Sequence, residues 1–447
     1  METSALKDKL QKASIKYAIA SYVDMHGVTK SKLVPLSHLD QMMKGSEMFT
    51  GAALDGVPQE INDEEVACHP DPDSLIVLPW QPECAWFASD LWTEGAPFEA
   101  CSRNILNRQM EAAAAQGYVM NLGMEAEFFV FRDTEEGGFA PVSPLPNLEK
   151  PAYDTARLLD NLPWLSELVD AMNTLGWDVY SFDHEDGIGQ VEIDFAYADA
   201  RTMADRYCFL RMMAMAIARK HGAFASFMPK PMGDRTGSGA HYNMSLANAE
   251  TGDNLFKDPN DPRGCGLSTL GYQFLAGILR HLPAIMAVVA PSVNSYKRLI
   301  KQGSMSGFTW APIYACYGNN NRTNAMRIPL GGGRVELRAA DSACNPYLGA
   351  AMVLAAGLEG ISEGLDPGDP NTDNMYLVDQ AELDRRGISI LPRTLEDALL
   401  AFEADPLSRK VFGDAMFDSW TAYKRQEWLS YLNHVSDWEV ERYLKFF

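Results

Sequence analysis

Alternation of polar and apolar side chains dominates the middle of the chain. In a strand, successive side chains point to opposite faces. Residues 230–246, KPMGDRTGSGAHYNMSL, pass from a glycine loop into a strand with His241, Asn243 and Ser245 on one face and Tyr242, Met244 and Leu246 on the other. Residues 121–132 predict a second such strand, with Glu125 and Glu127 on one face against Met124, Ala126 and Phe128. Residues 189–195 align Gln190, Glu192 and Asp194 against Val191, Ile193 and Phe195, and residues 335–338 align Glu336 with Arg338. If the apolar faces pack on the core, the polar rows line a cavity, as a ligand site requires. The alternative for any one of them is an amphipathic strand with its charges in solvent.

Helical spacing of apolar residues marks 158–175 and 200–221 between these strands, residues 5–15 at the start, and most of 395–447 at the end. The first hundred residues read as a hairpin, 17–23 with 29–34 around residues 24–27. A short helix at 36–44, a glycine-containing loop at 48–58 and strands at 74–78 and 85–91 follow. Strands, a helix and more strands within so short a span predict a small α+β domain over residues 1–100. Ser102 then caps a helix over 103–116, and residues 101–447 form the second, larger domain. DPGDPNTDN at 366–374 is a turn-rich surface loop.

Charge and composition narrow the function. Lysine and arginine total 38 against 60 acidic residues, a net charge of −22, which argues against a nucleic-acid or anionic-membrane partner. The 7 cysteines are scattered, with no C-x-x-C spacing, and predict a reducing compartment without structural zinc. The N-terminal residues lack the apolar core of a secretory signal, and no window approaches 18 uninterrupted apolar residues, so the expected location is cytoplasmic.

Carboxylates two residues apart on a strand lie roughly 7 Å apart, and burying them unpaired is costly. Glu125, Glu127, Glu192 and Glu336 therefore call for cations, and oxygen ligands with one imidazole from His241 suit Mg²⁺ or Mn²⁺ better than zinc. Arginines crowd the stretch from Arg298 to Arg338, including Arg322, Arg327 and Arg334, and arginine is suited to bidentate contacts with carboxylate or phosphate. Cations, arginines and a glycine loop are the equipment of phosphoryl transfer. No Walker A sequence, kinase motif set, nucleophile elbow or plausible Ser/His/Asp set is present.

MEAEFF at 124–129, FMPKPMGDRTGSGAHYNMSL at 227–246, NSYKRL at 294–299, NRTNAMRIP at 321–329 and RVELRAADSACNPYL at 334–348 resemble, in order, the signature blocks of the glutamine synthetase family. The resemblance runs from the N-terminal part to the closing VSDWEVERY. It implies a β-grasp-like N-terminal domain and a catalytic domain with a curved antiparallel sheet surrounded by helices. By similarity, Glu127, Glu185 and Glu192 would hold one divalent metal, and Glu125, His241 and Glu336 a second. Arg298 and Arg338 would grip the glutamate carboxylate, with Gly237 in the loop beside it. Arg322 and Arg327 would meet the ATP phosphates, with Asn243 and Ser245 on the nucleotide side. The family phosphorylates the γ-carboxylate of glutamate with ATP, and an amine then displaces phosphate; members assemble as stacked rings with active sites between subunits.

Two departures concern the amine. Ammonia-using members resemble one another in an M-F-D-G-S-S loop and in a flap with Glu before Ala-Pro. Here the loop is MFTGAA at 48–53, with Thr50 and Ala53 at the changed positions, and Trp310 precedes Ala311-Pro312. A pocket that exchanges acids for an indole favours an alkylammonium, through a cation–π contact of about 0.5–2 kcal/mol. Methylamine is therefore the expected amine, with Asp55 or Glu185 accepting its proton. Alternatives are an ammonia-using glutamine synthetase, a ligase for another amine, and a non-catalytic relative. All six metal-ligand positions and the four arginines speak against the last.

Overall fold

The computed structural model describes residues 3–301, 307 and 309–447. The hairpin is present: strand Tyr17–Val23 pairs antiparallel with Thr29–Pro35 and parallel with Cys84–Thr93. They belong to a seven-stranded sheet that also contains Glu47–Phe49 and Val66–Pro70. The sequence pattern does not reveal Val66–Pro70, because VACHP holds only one strongly β-favouring residue and ends in proline. The expected strand at 74–78 shrinks to Ile76–Val77 after a helical turn at Pro72–Ser74, which the Asp71 side chain caps.

The helix after this sheet spans Ser102–Ala114, and Ser102 is not its cap. Cys101 occupies the cap position without a side-chain hydrogen bond. The Ser102 hydroxyl instead donates to Asp24 O at 3.4 Å and accepts from Asn345 Nδ2 at 2.9 Å, tying the hairpin turn to the rest of the molecule. Arg103 serves the same junction. Its guanidinium is buried between Asp71 (2.7 Å) and Asp90 (2.9 Å) of the N-terminal part and Asp205 (3.0 Å) of helix Ala200–Lys220. One continuous buried apolar cluster runs from Leu6 to Trp420.

Beyond residue 100 the strands form two sheets, and helices cover their outer faces, an α+β fold. Five strands include Ala126–Asp133 and Gln190–Phe195; six include Tyr118–Met124, Tyr242–Asn248 and Val335–Leu337. The strand expected over 121–132 is thus broken at Glu125, where the chain leaves one sheet for the other. The Glu125 N–H donates to His241 O at 3.2 Å and the Glu127 N–H to Gly239 O at 3.3 Å, so the glycine loop straddles the break. Nearly all pairings are antiparallel; Tyr317–Asn319 beside Met326–Ile328 is parallel.

The helices match their periodicity closely, at Thr155–Thr174, Ala200–Lys220 and, near the C-terminus, Leu395–Ala404 through Asp437–Tyr443. Helix Thr269–Val289 is long and apolar enough to cross a membrane, yet 78 % of its apolar window is buried inside the protein. It lies directly on helix Pro346–Ser362. A Cβ on Gly277 would sit 2.0 Å from Ala356 O and one on Gly360 2.2 Å from Gln273 O, so glycine is what permits this approach.

Candidate active site

The break between the two sheets is where the acidic residues meet. Glu125 sits at the break, His241 just before strand Tyr242–Asn248, and Glu336 at the centre of Val335–Leu337, and one ligand atom from each lies within 4.8 Å of the others. Register explains the meeting, because Asn243 pairs with Glu336 on one side and with Gly123 on the other. His241 Nδ1 is 2.6 Å from Glu125 Oε2 and 3.8 Å from Glu336 Oε1. Burial raises the Glu125 pKa, but the facing His241 and the hydrogen bonds from His241 and Asn243 outweigh it and hold the carboxyl at about 2.

A second group lies beside the first. Glu127 and Glu192 are directly opposite each other across antiparallel strands, a placement that repels when both are charged. Glu185 follows strand Val179–His184, and its N–H donates to Gln190 O at 3.0 Å. Burial first, and the charge on Glu127 second, push Glu185 up to about 8 and Glu192 well above the usual carboxylate range. Such acids stay neutral near pH 7 until a cation compensates them. Glu185, Glu192 and the glycine-loop partner Glu127 offer oxygen ligands, and the first group adds one imidazole, so both fit Mg²⁺ or Mn²⁺.

The glycine loop packs against this acid pair and an arginine. The Gly239 N–H donates to Glu127 Oε2 at 2.7 Å. A Cβ on Gly239 would lie 2.6 Å from His241 Nε2, 2.9 Å from Arg298 Nη2 and 3.0 Å from Glu127 Oε1. Gly237 covers Arg298 as closely, since its Cβ would meet Arg298 Cγ at 2.9 Å. Arg298 is 3 % exposed and donates to the carbonyls of Ala339 (3.1 Å) and Arg338 (3.0 Å). Arg338 Nη1 and Arg327 Nη1 each lie 2.6 Å from the fully buried carboxylate of Glu336. Arg322 is exposed; its carbonyl accepts from Arg338 Nε at 3.3 Å. Tyr153 has its hydroxyl pKa raised by burial and by Glu185, against the opposing charge of Arg322.

On the other side of Glu125 lies a cavity of about 270 Å³, lined among others by Asn243, Ser245, Tyr180, Asp194 and Arg334. Asn243 spans the two regions, donating to Glu125 Oε1 at 2.9 Å and accepting from Arg334 Nε at 3.0 Å. The polar row at Gln190, the arginine stretch at Arg334 and the glycine loop at Gly239 are legible in the sequence, whereas Tyr180 at the cavity is not. Gln190 shares the alternating face of Glu192, which is a usable signal; Tyr180 lies in its strand with no distinguishing pattern.

The amine residues divide. Trp310 adjoins the site: its carbonyl accepts from Arg338 Nη2 at 3.4 Å, the residue is 44 % exposed, and its backbone is left-handed at φ 55°, a conformation uncommon for a bulky residue and found at functional sites. Thr50, Ala53 and Asp55 are elsewhere on the same chain. The Thr50 hydroxyl donates to Glu65 at 3.0 Å, Ala53 ends the helical turn Gly51–Ala53, and Asp55 Oδ2 lies 3.5 Å from His26 Nε2. Asp55 lines a cleft of about 1020 Å³ with Tyr423, Lys424 and Glu427. Among the described residues of one chain, no hydrogen bond or ion pair joins this loop to the acid groups; it is anchored on the N-terminal sheet.

Fold and site together define a ligase-type centre in which carboxylates, one imidazole and buried arginines converge, with one candidate cation group at Glu125, His241 and Glu336 beside a cavity of about 270 Å³. Residues 99–443 match the family model described as the catalytic domain of glutamine synthetase, and the chain belongs to the glutamine synthetase family. It is 43 % identical over 448 residues to the glutamate–methylamine ligase of Methyloversatilis universalis, covering 100 % of both chains. It is also 38 % identical to a glutamine synthetase of Rhizobium leguminosarum, over 95 % of this chain and 96 % of that one. A solved GmaS/ADP complex superposes with a TM-score of 0.91 at 38 % identity, covering 98 % of this chain and 99 % of the other. The protein is thus an ATP-dependent ligase of a family that takes glutamate, an amine and ATP and uses a divalent cation.

Proposed function

We propose that the protein joins methylamine to the γ-carboxylate of L-glutamate, giving γ-glutamylmethylamide, ADP and phosphate. The observation that carries this reading is Trp310, whose backbone carbonyl accepts from Arg338 Nη2 and whose indole stands where the family resemblance places an acid in ammonia-using members. Full-length similarity to a glutamate–methylamine ligase supports it. An exposed indole attracts an alkylammonium through its ring face and gains from covering the methyl group.

Glu127, Glu185 and Glu192 would hold one cation, and Glu125, His241 and Glu336 the other. Bound there, the cations neutralise phosphate charge during phosphoryl transfer. Arg298 and Arg338 orient glutamate under the loop at Gly237 and Gly239, so that its γ-carboxylate meets the terminal phosphate. Arg327, Arg322, Asn243 and Ser245 position the nucleotide, Asn243 by fixing Arg334 against Glu125. Glu185, ionised once a cation compensates it, would be the carboxylate that takes a proton from the attacking amine.

Offered ammonium, methylamine, ethylamine and putrescine with glutamate and Mg-ATP, the purified protein should release phosphate fastest with methylamine; fastest release with ammonium overturns the reading. Trp310→Glu should raise the kcat/KM ratio of ammonium over methylamine by about tenfold, the scale expected when a carboxylate replaces the cation–π attraction of the indole. An unchanged ratio would show that another group selects the amine.

The loop with Thr50, Ala53 and Asp55 would act in trans, completing the site of a neighbouring subunit in stacked rings. Asp55→Ala and Arg338→Leu, each inactive alone, should then regain activity when dissociated and reassembled together; persistent inactivity places the whole site in one subunit. The acidic charge and lack of paired cysteine motifs favour a cytoplasmic enzyme, which fractionation of cells would check.

A further inference from the structure

Gln190 lies at the start of strand Gln190–Phe195, two positions before Glu192, and only 1 % of it is exposed. An amide side chain has two N–H donors and one carbonyl acceptor, and here all are engaged. Nε2 donates to Glu127 Oε2 at 3.2 Å and to Gly237 O at 3.1 Å. Oε1 accepts from the Gly187 N–H at 2.9 Å and from the Thr236 hydroxyl at 3.2 Å.

The partners leave no freedom in the orientation of the amide. A backbone N–H can only donate and a carboxylate only accept, so Oε1 must face Gly187 and Nε2 must face Glu127. One rigid group therefore touches a carboxylate of the acid cluster and two consecutive residues of the loop that covers Arg298. The loop has further anchors: Lys230 Nζ donates to Arg235 O, and the Ser238 N–H to Pro229 O at 2.8 Å. The Gly239 N–H also donates to Glu127 Oε2, at 2.7 Å, and Gln190 is the side chain that extends this tie to Thr236 and Gly237.

We propose that Gln190 is a positioning residue that couples cation binding at Glu127 to glutamate binding under the glycine loop. The inference rests on the assignment of these two sites given under Proposed function. When a cation draws Glu127 into its ligand geometry, Gln190 follows the carboxylate and sets the heights of Thr236 and Gly237 over Arg298. By reciprocity, glutamate seated under the loop holds Glu127 in the ligating position, so each ligand tightens the other.

The test is calorimetric titration of Mn²⁺ into metal-free protein with and without saturating glutamate. In the wild type, glutamate should tighten Mn²⁺ by at least about fivefold, the lower range of measured couplings. Gln190→Met keeps the volume and removes both donors; it should bring that ratio close to one, raise the KM for glutamate about tenfold, and change kcat less than threefold, the pattern of impaired ground-state positioning. A residue that only stabilises the fold would lower the melting temperature and leave the ratio intact. Should Gln190→Met fail to fold, Thr236→Val, which removes only the hydroxyl bonded to Oε1, should lower the ratio by about half. A variant that retains the wild-type ratio overturns the coupling role of Gln190, whereas a wild-type ratio of one overturns the paired assignment of the two sites instead.

Discussion

Gly239→Ala is expected to lower kcat/KM by about a thousandfold while the protein remains folded. The added methyl would lie 2.6 Å from His241 Nε2, 2.9 Å from Arg298 Nη2 and 3.0 Å from Glu127 Oε1. Such separations force atoms to move, and here each neighbour is the polar head of a group the reaction needs. A displacement of about 1 Å in a positioned group costs on the order of a hundredfold in rate, and disturbing the surroundings of metal ligands costs a further ten- to hundredfold. Gly233→Ala in the same loop is the control, since a Cβ there has nothing within 4 Å and the backbone is not left-handed. Steady-state kinetics of the two variants decide the matter: a Gly239→Ala enzyme within tenfold of wild type would show that the glycine is not reserved for the site.

The second expected result is an exchange of function for stability. Glu192→Gln should weaken divalent-cation binding by about a hundredfold or more, and yet raise the melting temperature of the metal-free protein by several degrees at pH 8. In the folded metal-free protein Glu192 titrates well above the ordinary carboxylate range, through burial and then the charge of Glu127, and Glu185 at about 8. Between the unfolded value of 4.5 and these folded values the native state binds more protons than the unfolded chain. Stability therefore falls as pH rises through this window. The glutamine amide in the variant would carry no charge to desolvate, so the variant should lose less stability between pH 5 and pH 8. Added Mg²⁺ should reverse the order at pH 8, stabilising the wild type more than the variant. Thermal melts in chelator and in Mg²⁺ at the two pH values provide the measurement; parallel pH dependence of the two metal-free proteins would contradict a raised pKa at Glu192.

Strand periodicity carried much of this site. Which side of Gln190–Phe195 and of Tyr242–Asn248 faces the cavity follows from local geometry, since neighbouring side chains in an extended chain must alternate. The buried Tyr242 and Leu246 and the cavity-lining Asn243 and Ser245 agree with it, although Met244 also borders the cavity. The long helices were legible for the same reason, their apolar spacing being a local property of the sequence.

Hydrogen-bond exchanges between distant segments were not legible. Glu125 and Glu127 both face His241, as the alternation required, but through a chain that changes sheets between them. Ser102 had the chemistry of a helix cap and serves instead as a tie to Asn345, 243 positions later in the chain. Asp55 carried the right functional group and was placed on the N-terminal sheet beside His26, away from the acid cluster of its own chain.

The sequence by itself determined the family, the face on which the candidate acids lie, and the presence of an indole at Trp310 just before Ala311 and Pro312. Only the tertiary structure decided that Glu125, His241 and Glu336, from three segments, converge where two sheets part, that Gly239 must lack a side chain, and that Gln190 ties Glu127 to the glycine loop. The physical reason is range. Side-chain alternation is set by adjacent backbone dihedrals, whereas the meeting of Glu127, Gln190 and Gly237 depends on register between strands and a loop far apart in the chain, which no local pattern encodes.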